Sequence, residues 1–383
     1  MLVLGLAAQT ASAVVAHGAA FLIPALQTDR GLTLGEAGVV VAMPTVGVML
    51  TLIAWGALAD AVGERIVLAI GLLVTAAAGL GAVFSTSLFG TGAFLLLAGA
   101  GAASANAASG RVVIGHFPAH RRGLVMGIRQ MAQPLGVGIA SLTMPTLAEQ
   151  HGIAAALWVP AVAAGTVGIA CGLLIIDPPR PPKAQASPAQ TANPYRGSSV
   201  LWRIHSVSVL LVVPQFVVWT YALVWLIAEQ RMSAAAAGVV VTVSQLLGAA
   251  GRIAVGYWSD RVGSRMRPLR LVAIAAVVVM GALAATDALG SPVAIGFLVL
   301  ATVITVADNG LAFTSVAEIG GPYWAGRALG AQNTAQFLGA SLVPPLVGAL
   351  ITGVGYPAAF AITALFPALA IPLVPSQDHS RSG

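Results

Sequence analysis

The feature that most restricts the fold of this chain is a series of apolar runs, each about 20 residues long, separated by short polar turns. A helix of about 20 residues crosses the hydrocarbon core of a bilayer, and a backbone in lipid must satisfy its hydrogen bonds within the helix. The sequence therefore predicts an all-α membrane protein. The twelve predicted spans, numbered in chain order, lie near 2–24, 37–59, 66–84, 91–114, 124–147, 153–175, 204–227, 237–258, 271–288, 293–317, 329–351 and 357–374.

The composition excludes a water-soluble domain. Charged residues make up 8% of the chain and hydrophobic residues 58%, whereas a soluble domain usually carries about a quarter charged residues. The first run has no preceding basic segment and eleven more runs follow it, so we interpret it as a span and not as a signal peptide. The single cysteine, Cys171, excludes an intramolecular disulfide.

The distribution of basic residues predicts the orientation of the spans. Of the 18 Lys and Arg residues, 13 lie in alternate loops and tails on one side, only Arg30 and Arg231 lie on the other, and the rest lie within spans. Loops rich in Lys and Arg remain in the cytoplasm, so we expect both termini to be cytoplasmic and the protein to lie in the inner (cytoplasmic) membrane. We attribute the net charge of +6 to this asymmetry and expect no nucleic-acid partner.

Internal repeats divide the chain into two similar halves. The segment 37–41 recurs without a gap at 237–241, and a second repeat relates span 5 to span 11. A repeated half indicates two similar structural units. Between the halves, the stretch 177–203 is polar and rich in proline, as flexible linkers are. We therefore predict a six-helix domain over 1–176, a cytoplasmic linker over 177–203 and a second six-helix domain over 204–383.

The turns after spans 2 and 8 both carry the pattern G-x-x-x-D-x-x-G-x-R. Twelve spans, a central linker and this turn at two symmetric places resemble the major facilitator superfamily over essentially the whole chain. The first turn departs from the family pattern, since Ala61 and Glu64 stand where basic residues are usual. The gating residues that the resemblance implies are Gly56, Asp60, Gly63, Arg65, Gly256, Asp260, Arg261, Gly263 and Arg265.

The resemblance implies that Asp60 meets the beginning of span 11 near Ala328 and closes the cytoplasmic side. This is physically reasonable, because a carboxylate is favoured at the positive N-terminal end of a helix. The glycines of the pattern allow close helix approach and a tight turn. The alternative is that Asp60 and Asp260 are only charges at helix ends in the membrane interface.

Arg252 in span 8 is the sharpest candidate for contact with a transported molecule. A charged residue within a span costs about 3 kcal/mol or more on insertion scales and marks a functional site by default. The run 251–261 resembles span 8 of monocarboxylate, oxalate/formate and nitrate carriers, which implies that Arg252 engages an anion. A guanidinium suits this role because its planar pair of donors matches a carboxylate. Alternatively, Arg252 extends to the cytoplasm or pairs with a carboxylate in helix packing.

The second cation of those carriers is missing here. Leu52 stands where nitrate carriers have an arginine in span 2, and span 11 has only amides where the oxalate/formate type adds a basic residue. The nearest substitute is Arg129 in span 5. In the resembling fold span 5 faces span 8, so Arg129 is predicted to assist Arg252. Alternatively, Arg129 is an interface residue that binds cytoplasmic carbonyls.

Asp308 in span 10 is the only carboxylate near the centre of a span. One predicted role is to neutralise Arg252. The other is to carry a proton, because a carboxyl group removed from water binds a proton more readily unless a cation is near. The two roles combine if protonation of Asp308 releases Arg252 for the anion.

Neutral polar side chains on spans 1, 4, 5, 7, 10 and 11 are predicted to line a central cavity, because these spans line it in the resembling family. Spans 3, 6, 9 and 12 hold almost no such groups. Each residue alone is also explained as a hydrogen bond between helices, worth about 0.6 kcal/mol. The candidates are Gln9, Asn106, Gln130, Gln133, Gln215, Asn309, Gln332 and Gln336.

We predict a secondary carrier that moves a small organic or inorganic anion by alternating access, with coupling to protons. The alternative within transport is an exporter of drug-like or amphiphilic molecules. Pro134 in span 5 resembles the proline-glycine signature of drug exporters, but Gln133 stands where that signature has a glycine before the proline. An enzyme is disfavoured, because the sequence has no nucleophile motif, metal motif or phosphate-binding loop. A channel would not explain two gating turns. We expect a monomer in the lipid bilayer, with a small-molecule substrate and neither a cofactor nor a metal.

Overall fold

The computed structural model describes residues 1–117, 128–177, 193–196 and 198–376. Every regular element within these ranges is helical, which confirms the predicted all-α class. The helices follow the predicted spans in order. Their bounds are Leu2–Gly18, Ala19–Leu22 (3₁₀) and Ile23–Arg30 for span 1, then Leu34–Val62, Glu64–Phe84, Leu88–Gly115, Ala132–His151, Ile153–Leu174, Val200–Ala228, Ala234–Val262, Met266–Ala288, Val293–Thr305, Asp308–Thr363, Leu365–Ala370 and Ile371–Leu373 (3₁₀).

Ten helical segments among the described residues are long and apolar enough to cross a bilayer, against twelve predicted spans. Two features explain the difference. The described helix of span 5, Ala132–His151, carries Gln133, Glu149 and Gln150 and is not among the ten. Spans 11 and 12 join in one segment, Arg327–Leu373, in which Gly355 has a left-handed φ of 80°.

The turn between spans 1 and 2 is fixed by local sequence. Gly31 ends span 1 in the left-handed conformation, with φ 65°, which glycine adopts without steric cost. Thr33 then starts span 2 with a capping box, because its hydroxyl accepts from the Glu36 N–H and the Glu36 carboxylate accepts from the Thr33 N–H. The predicted boundary between these spans is therefore formed by a left-handed glycine and by side chains that cap the free backbone N–H groups of the next helix.

Span 10 is broken near its middle. One helix ends at Thr305 and the next begins at Asp308. The Thr305 hydroxyl donates to the Ala301 carbonyl at 2.7 Å, a bond that tends to bend helices. The break places Asp308 in the first turn of the second helix and leaves the Val306 carbonyl outside the regular helical bonding.

The chain forms two compact units. Unit 1 consists of Met1–Pro179, Trp219–Leu246 and Ser341–Gly353, and unit 2 of Arg180–Val218, Leu247–Ala340 and Val354–Gly383. The buried core of unit 1 includes Leu68, Leu72 and Val112, and that of unit 2 includes Ile204 and Leu269.

Within unit 1, the repeated glycines lie at two close helix contacts. A methyl group on Gly38 would overlap the carbonyl of Pro344, and one on Gly238 would overlap the carbonyl of Ser141. The Gly238 contact is reinforced by a hydrogen bond of 2.8 Å between the hydroxyls of Ser141 and Thr242. The repeat at 37–41 and 237–241 therefore places a glycine, Gly38 or Gly238, at each of two matching helix contacts. A residue without a side chain lets helices in a membrane pack closely.

Candidate functional site

The first polar cluster lies in unit 1 and consists of Gln9, Asn106, Ser109 and Arg129. The Gln9 amide donates to Asn106 Oδ1 at 2.8 Å, and the Ser109 hydroxyl lies 3.2 Å from Gln9 Oε1. Arg129 donates to Ser109 Oγ from Nε and Nη2, at 3.1 and 3.0 Å, and to Gln9 Oε1 from Nη2 at 3.1 Å. Spans 1, 4 and 5 thus bring three predicted site residues together through Ser109, which the sequence had not marked.

The charge of Arg129 has no carboxylate partner among the described residues. Its side chain is 9% exposed, and its hydrogen bonds end on the neutral side-chain oxygens of Ser109 and Gln9. Neutral acceptors satisfy the donors of a guanidinium but leave its positive charge uncompensated. The first polar cluster is therefore a buried positive site that is held by three hydrogen bonds to neutral oxygens.

The charged pair, Arg252 and Asp308, lies in unit 2 at the break in span 10. Arg252 Nε donates to the Val306 carbonyl at 3.1 Å, so the guanidinium lies at the carbonyl end of the first half-helix. Asp308 lies at the N-terminal end of the second half-helix. Both placements are favoured by the helix dipole, which attracts cations at C-termini and carboxylates at N-termini.

The charged pair is incompletely satisfied. Arg252 and Asp308 interact electrostatically, but no ion pair joins them among the described residues. Asp308 is 1% exposed. Its Oδ1 atom and Arg252 Nη2 are both buried without a hydrogen-bond partner in the described part of the chain. A buried polar atom left unpaired costs about 1 to 3 kcal/mol, so this arrangement requires an explanation that packing alone does not give.

A second group of polar side chains, here the amide cluster, consists of Ser208, Gln215, Asn309, Gln332 and Gln336. The Asn309 amide donates to Gln215 Oε1 at 2.9 Å, and the Gln336 amide donates to Asn309 Oδ1 at 3.1 Å. Gln332 and Gln336 both donate to the Ser208 hydroxyl, at 3.2 and 2.6 Å. Four predicted lining residues on spans 7, 10 and 11 are therefore joined by Ser208, which had not been predicted.

Two other predicted residues lie outside these clusters. Gln130 is exposed, and Gln133 is half-buried with no hydrogen bond to any described residue. Gln130 directly follows Arg129, so its side chain points about 100° away around the helix axis. Gln133 lies beyond Met131, in the separate helix that begins at Ala132. The described residues also contain no group of His, Cys, Asp or Glu that could hold a metal ion.

The turn after span 8 forms an ionic network. Arg265 Nη1 donates to Asp260 at 2.5 Å and its Nη2 donates to Glu318 at 3.2 Å. Burial lowers the pKa of the Arg265 guanidinium, but the hydrogen bonds and charges of Asp260 and Glu318 outweigh burial and raise its pKa above the usual value. Gly263 takes a left-handed φ of 62°. Gly256 has open space at its Cβ position, and Arg261 lies over the ring of Tyr257 at 4.7 Å.

The turn after span 2 is held differently. The Arg65 backbone N–H donates to Asp177 Oδ1 and its Nε donates to the Gly172 carbonyl, both at 2.7 Å. Gly63 has φ 100°, which favours glycine, and Gly56 has open space at its Cβ position. The side chain of Asp60 lies outside the described residues, so its predicted contact with span 11 stays a prediction. The two copies of the signature turn therefore use their arginines for different partners.

Comparison with known proteins identifies the family. The sequence model of the Major Facilitator Superfamily matches residues 3–344 of this chain. The chain is also 50% identical over 375 residues to the uncharacterized MFS-type transporter Rv2994 of Mycobacterium tuberculosis strain H37Rv, a match that covers 98% of this chain and 84% of the relative. A second M. tuberculosis protein, MT3072 of strain CDC 1551, is equally similar.

Solved structures agree on the fold. A bacterial homologue of the human lysosomal transporter Spinster, in an inward-facing and unoccupied conformation, matches with a TM-score of 0.81 and 13% identity, over 97% of this chain and 95% of that one. A D-xylose–proton symporter matches with a TM-score of 0.73 and 14% identity, over 98% and 99% of the two chains. At such low identity these likenesses show the fold alone.

Proposed function

Because the chain belongs to the major facilitator superfamily and is a multi-pass membrane transporter rather than an enzyme, we propose that it carries a small organic or inorganic anion by alternating access, coupled to protons. The single observation that carries this proposal is the charged pair. In the described part of the chain, Arg252 keeps one buried nitrogen without a partner near Asp308, whose Oδ1 is also unpaired there. An anion that accepts from Arg252 would complete the hydrogen bonds of the guanidinium.

The charge balance of the pair supports an anionic substrate over a neutral one. Arg252 has a carboxylate nearby, but the two groups do not form the direct, two-pronged contact that arginine and carboxylate prefer. A small carboxylate or an inorganic oxyanion offers the same acceptor geometry as Asp308. It therefore competes with Asp308 for the guanidinium.

Proton coupling follows from the same competition. When Asp308 is ionised, its charge attracts Arg252 and weakens the attraction of the guanidinium for an anion. When Asp308 binds a proton, that attraction disappears and Arg252 is free to bind the anion. One proton would then move with each anion, in the same direction. Asp308 thus provides the coupling group of a symporter.

Arg129 is proposed as an assisting cation, because its charge has no carboxylate partner among the described residues. The amide cluster, with Gln133, Asn106 and Gln9, is proposed to provide neutral hydrogen-bonding groups to the substrate. The orientation proposed from the basic loops places both termini in the cytoplasm and the protein in the inner membrane. A monomer is proposed as the transporting form.

The substrate class is tested by a thermal-shift panel on purified protein with nitrate, formate, oxalate, lactate and a set of lipophilic cations, since a bound ligand stabilises the folded state. We expect at least one anion to raise the unfolding temperature of wild type and of Arg252→Lys but not of Arg252→Ala. Arg267→Ala is the matched control, because Arg267 is exposed in the first turn of the helix Met266–Ala288. Stabilisation only by lipophilic cations, independent of Arg252, would instead favour the exporter.

Alternating access requires helix contacts that open and close. We propose that the contacts of the repeated glycines in unit 1 close one side of the transport path. The contacts of Gly38 with Pro344 and of Gly238 with Ser141 leave no room for a side chain. We expect Gly38→Val and Gly238→Val each to separate these helices, and a cysteine placed at Thr242 to become more reactive to water-soluble maleimide. Gly281→Val is the control, because open space surrounds its Cβ position. Unchanged labelling in both variants would contradict the proposed role of this contact.

A further inference from the structure

The described end of the linker is joined to the amide cluster by a chain of hydrogen bonds within unit 2. The Tyr195 hydroxyl lies 2.9 Å from His205 Nε2, and His205 Nδ1 lies 3.1 Å from Gln332 Oε1. Gln332 then donates to Ser208 at 3.2 Å. His205 is a buried histidine in span 7, and neither it nor Tyr195 has a role in the anion proposal.

Tyr195 is held in place by aromatic packing. Its ring lies 5.2 Å from that of Trp202 and 6.4 Å from that of Trp324, and it stacks on His205 at 5.9 Å. The guanidinium of Arg327 lies over the Trp324 ring, 5.0 Å from its centroid. Such ring contacts stabilise the position of an aromatic side chain beyond simple burial. The Tyr195 hydroxyl is therefore directed at His205 by the packing of its ring.

The partners of His205 determine where its proton lies. A neutral imidazole has one donor nitrogen and one acceptor nitrogen, and its partners select which is which. Gln332 Oε1 can only accept, so Nδ1 carries the proton and Nε2 accepts from the Tyr195 hydroxyl. The Gln332 amide group then points toward Ser208. If the imidazole carried its proton on Nε2, Gln332 would have to turn its amide around.

Ser208 connects Gln332 to Gln336 and, through it, to Asn309, two residues proposed to bind the substrate. Its hydroxyl oxygen accepts from both Gln332 and Gln336, and Gln336 also donates to Asn309. If Gln332 turns, the Ser208 hydroxyl must rotate to donate to it, and this rotation redirects the lone pair that accepts from Gln336 at 2.6 Å. The position of Gln336 and Asn309 therefore depends on His205, although neither touches it.

We propose that His205 is a positioning residue whose tautomer is set by Gln332 and whose ring is held by the hydrogen bond to Tyr195, so that docking of the linker holds Gln336 and Asn309 in their bonded arrangement. The functional meaning of these two residues rests on the proposed function. The hydrogen-bond chain does not, so it is tested without any substrate. A failure of the anion proposal and a failure of this one are therefore distinguishable.

The test is nitrogen NMR of protein in lipid nanodiscs, labelled with ¹⁵N in histidine and in the side-chain amides. Signals of His205 and Gln336 are assigned by their loss in His205→Asn and Gln336→Leu. We expect wild-type His205 to be in the Nδ1–H tautomer, Tyr195→Phe to move the His205 Nε2 signal because its hydrogen bond is lost and the ring is released, and the Gln336 amide signal to shift with it. Trp202→Phe is the matched control, since it keeps a ring against Tyr195 and removes no bond of the chain.

The outcomes separate a positioning role from simple packing. An Nε2–H tautomer in wild type would overturn the proposal, as would a Gln336 signal that stays fixed in Tyr195→Phe or shifts equally in Trp202→Phe. His205→Asn should leave the Gln336 signal close to wild type, because the asparagine amide can still donate to Gln332. His205→Leu, which has no donor, should shift it.

Discussion

Arg129 and Arg252, two arginines within the described spans, differ in how completely their surroundings satisfy them. Arg129 directs three hydrogen bonds at the neutral oxygens of Ser109 and Gln9. Arg252 makes one hydrogen bond, to the Val306 carbonyl, and keeps Nη2 buried without a partner among the described residues. A carboxylate accompanies Arg252 but not Arg129. Among the described residues, Arg129 therefore has two neutral oxygens as acceptors, whereas Arg252 has one acceptor and a buried donor without a partner.

This difference indicates which arginine can form a new hydrogen bond with a ligand without giving up an existing one. A donor that is already bonded gives a new ligand little, because each new bond replaces an existing one. A buried donor without a partner gives nearly the whole value of a charge-assisted hydrogen bond, about 1.5 to 3 kcal/mol. We therefore expect Arg252 to contribute mainly to affinity for the anion and Arg129 mainly to the stability of unit 1.

The largest expected effect is on affinity at Arg252. With the anion that gives the greatest thermal shift, Arg252→Ala should weaken binding about 100-fold, the equivalent of about 2.7 kcal/mol, whereas Arg129→Ala should weaken it by about tenfold or less. The measurement is isothermal titration calorimetry on purified protein. Equal losses in the two variants would break the comparison, since they would place both guanidiniums in equivalent contact with the anion.

The next effect is on stability at Arg129. Arg129→Ala leaves Gln9 Oε1 and Ser109 with fewer partners in a buried cluster, which should lower the free energy of unfolding by about 1 to 3 kcal/mol. Arg129→Lys should recover part of this loss, because one ammonium can donate to both oxygens. Reversible denaturation in mixed micelles measures the change. A loss at Arg252→Ala larger than that at Arg129→Ala would reverse the assignment of the two roles.

The smallest effect is expected from giving Arg129 a carboxylate neighbour like that of Arg252. Asn106→Asp preserves the shape of the side chain and still accepts from the Gln9 amide. We expect it to weaken anion binding about threefold at neutral pH, or about 0.6 kcal/mol, and to regain wild-type affinity in acid as the new carboxyl binds a proton. Titration calorimetry at two pH values measures this. A loss of anion affinity that does not depend on pH would contradict the electrostatic explanation. Asn106→Ser serves as the uncharged control.

Much of the fold was predictable from the sequence, because the length and spacing of apolar runs in lipid leave few alternatives to helices. The family was predictable from two copies of one turn, and the match to the family confirms it. The partners of Gln9 and of Asn309 on spans 4, 7 and 11 were among the predicted lining residues. They lie together because amides are rare in apolar spans and bond to one another when buried; their contact with a substrate stays a prediction.

Other features could not be predicted, since they depend on helix rotation and on contacts distant in sequence. Ser109, Ser208 and His205 look like ordinary packing residues until the neighbouring helix is in place. The break of span 10 is set at Val306 and Ala307, where the apolar run continues without interruption. Arg65 binds Asp177, more than a hundred positions away, so its partner differs from that of Arg265 despite the shared motif.

The central claim is that Asp308 and the anion compete for Arg252, and the uptake of protons on binding tests it most directly. Purified protein in weakly buffered solution with a pH indicator is mixed with the anion identified in the thermal-shift panel. We predict uptake of up to about one proton for each anion bound by wild type, and anion binding without proton uptake by Asp308→Asn. Binding to wild type with no proton uptake, or the same uptake in Asp308→Asn, would contradict the account.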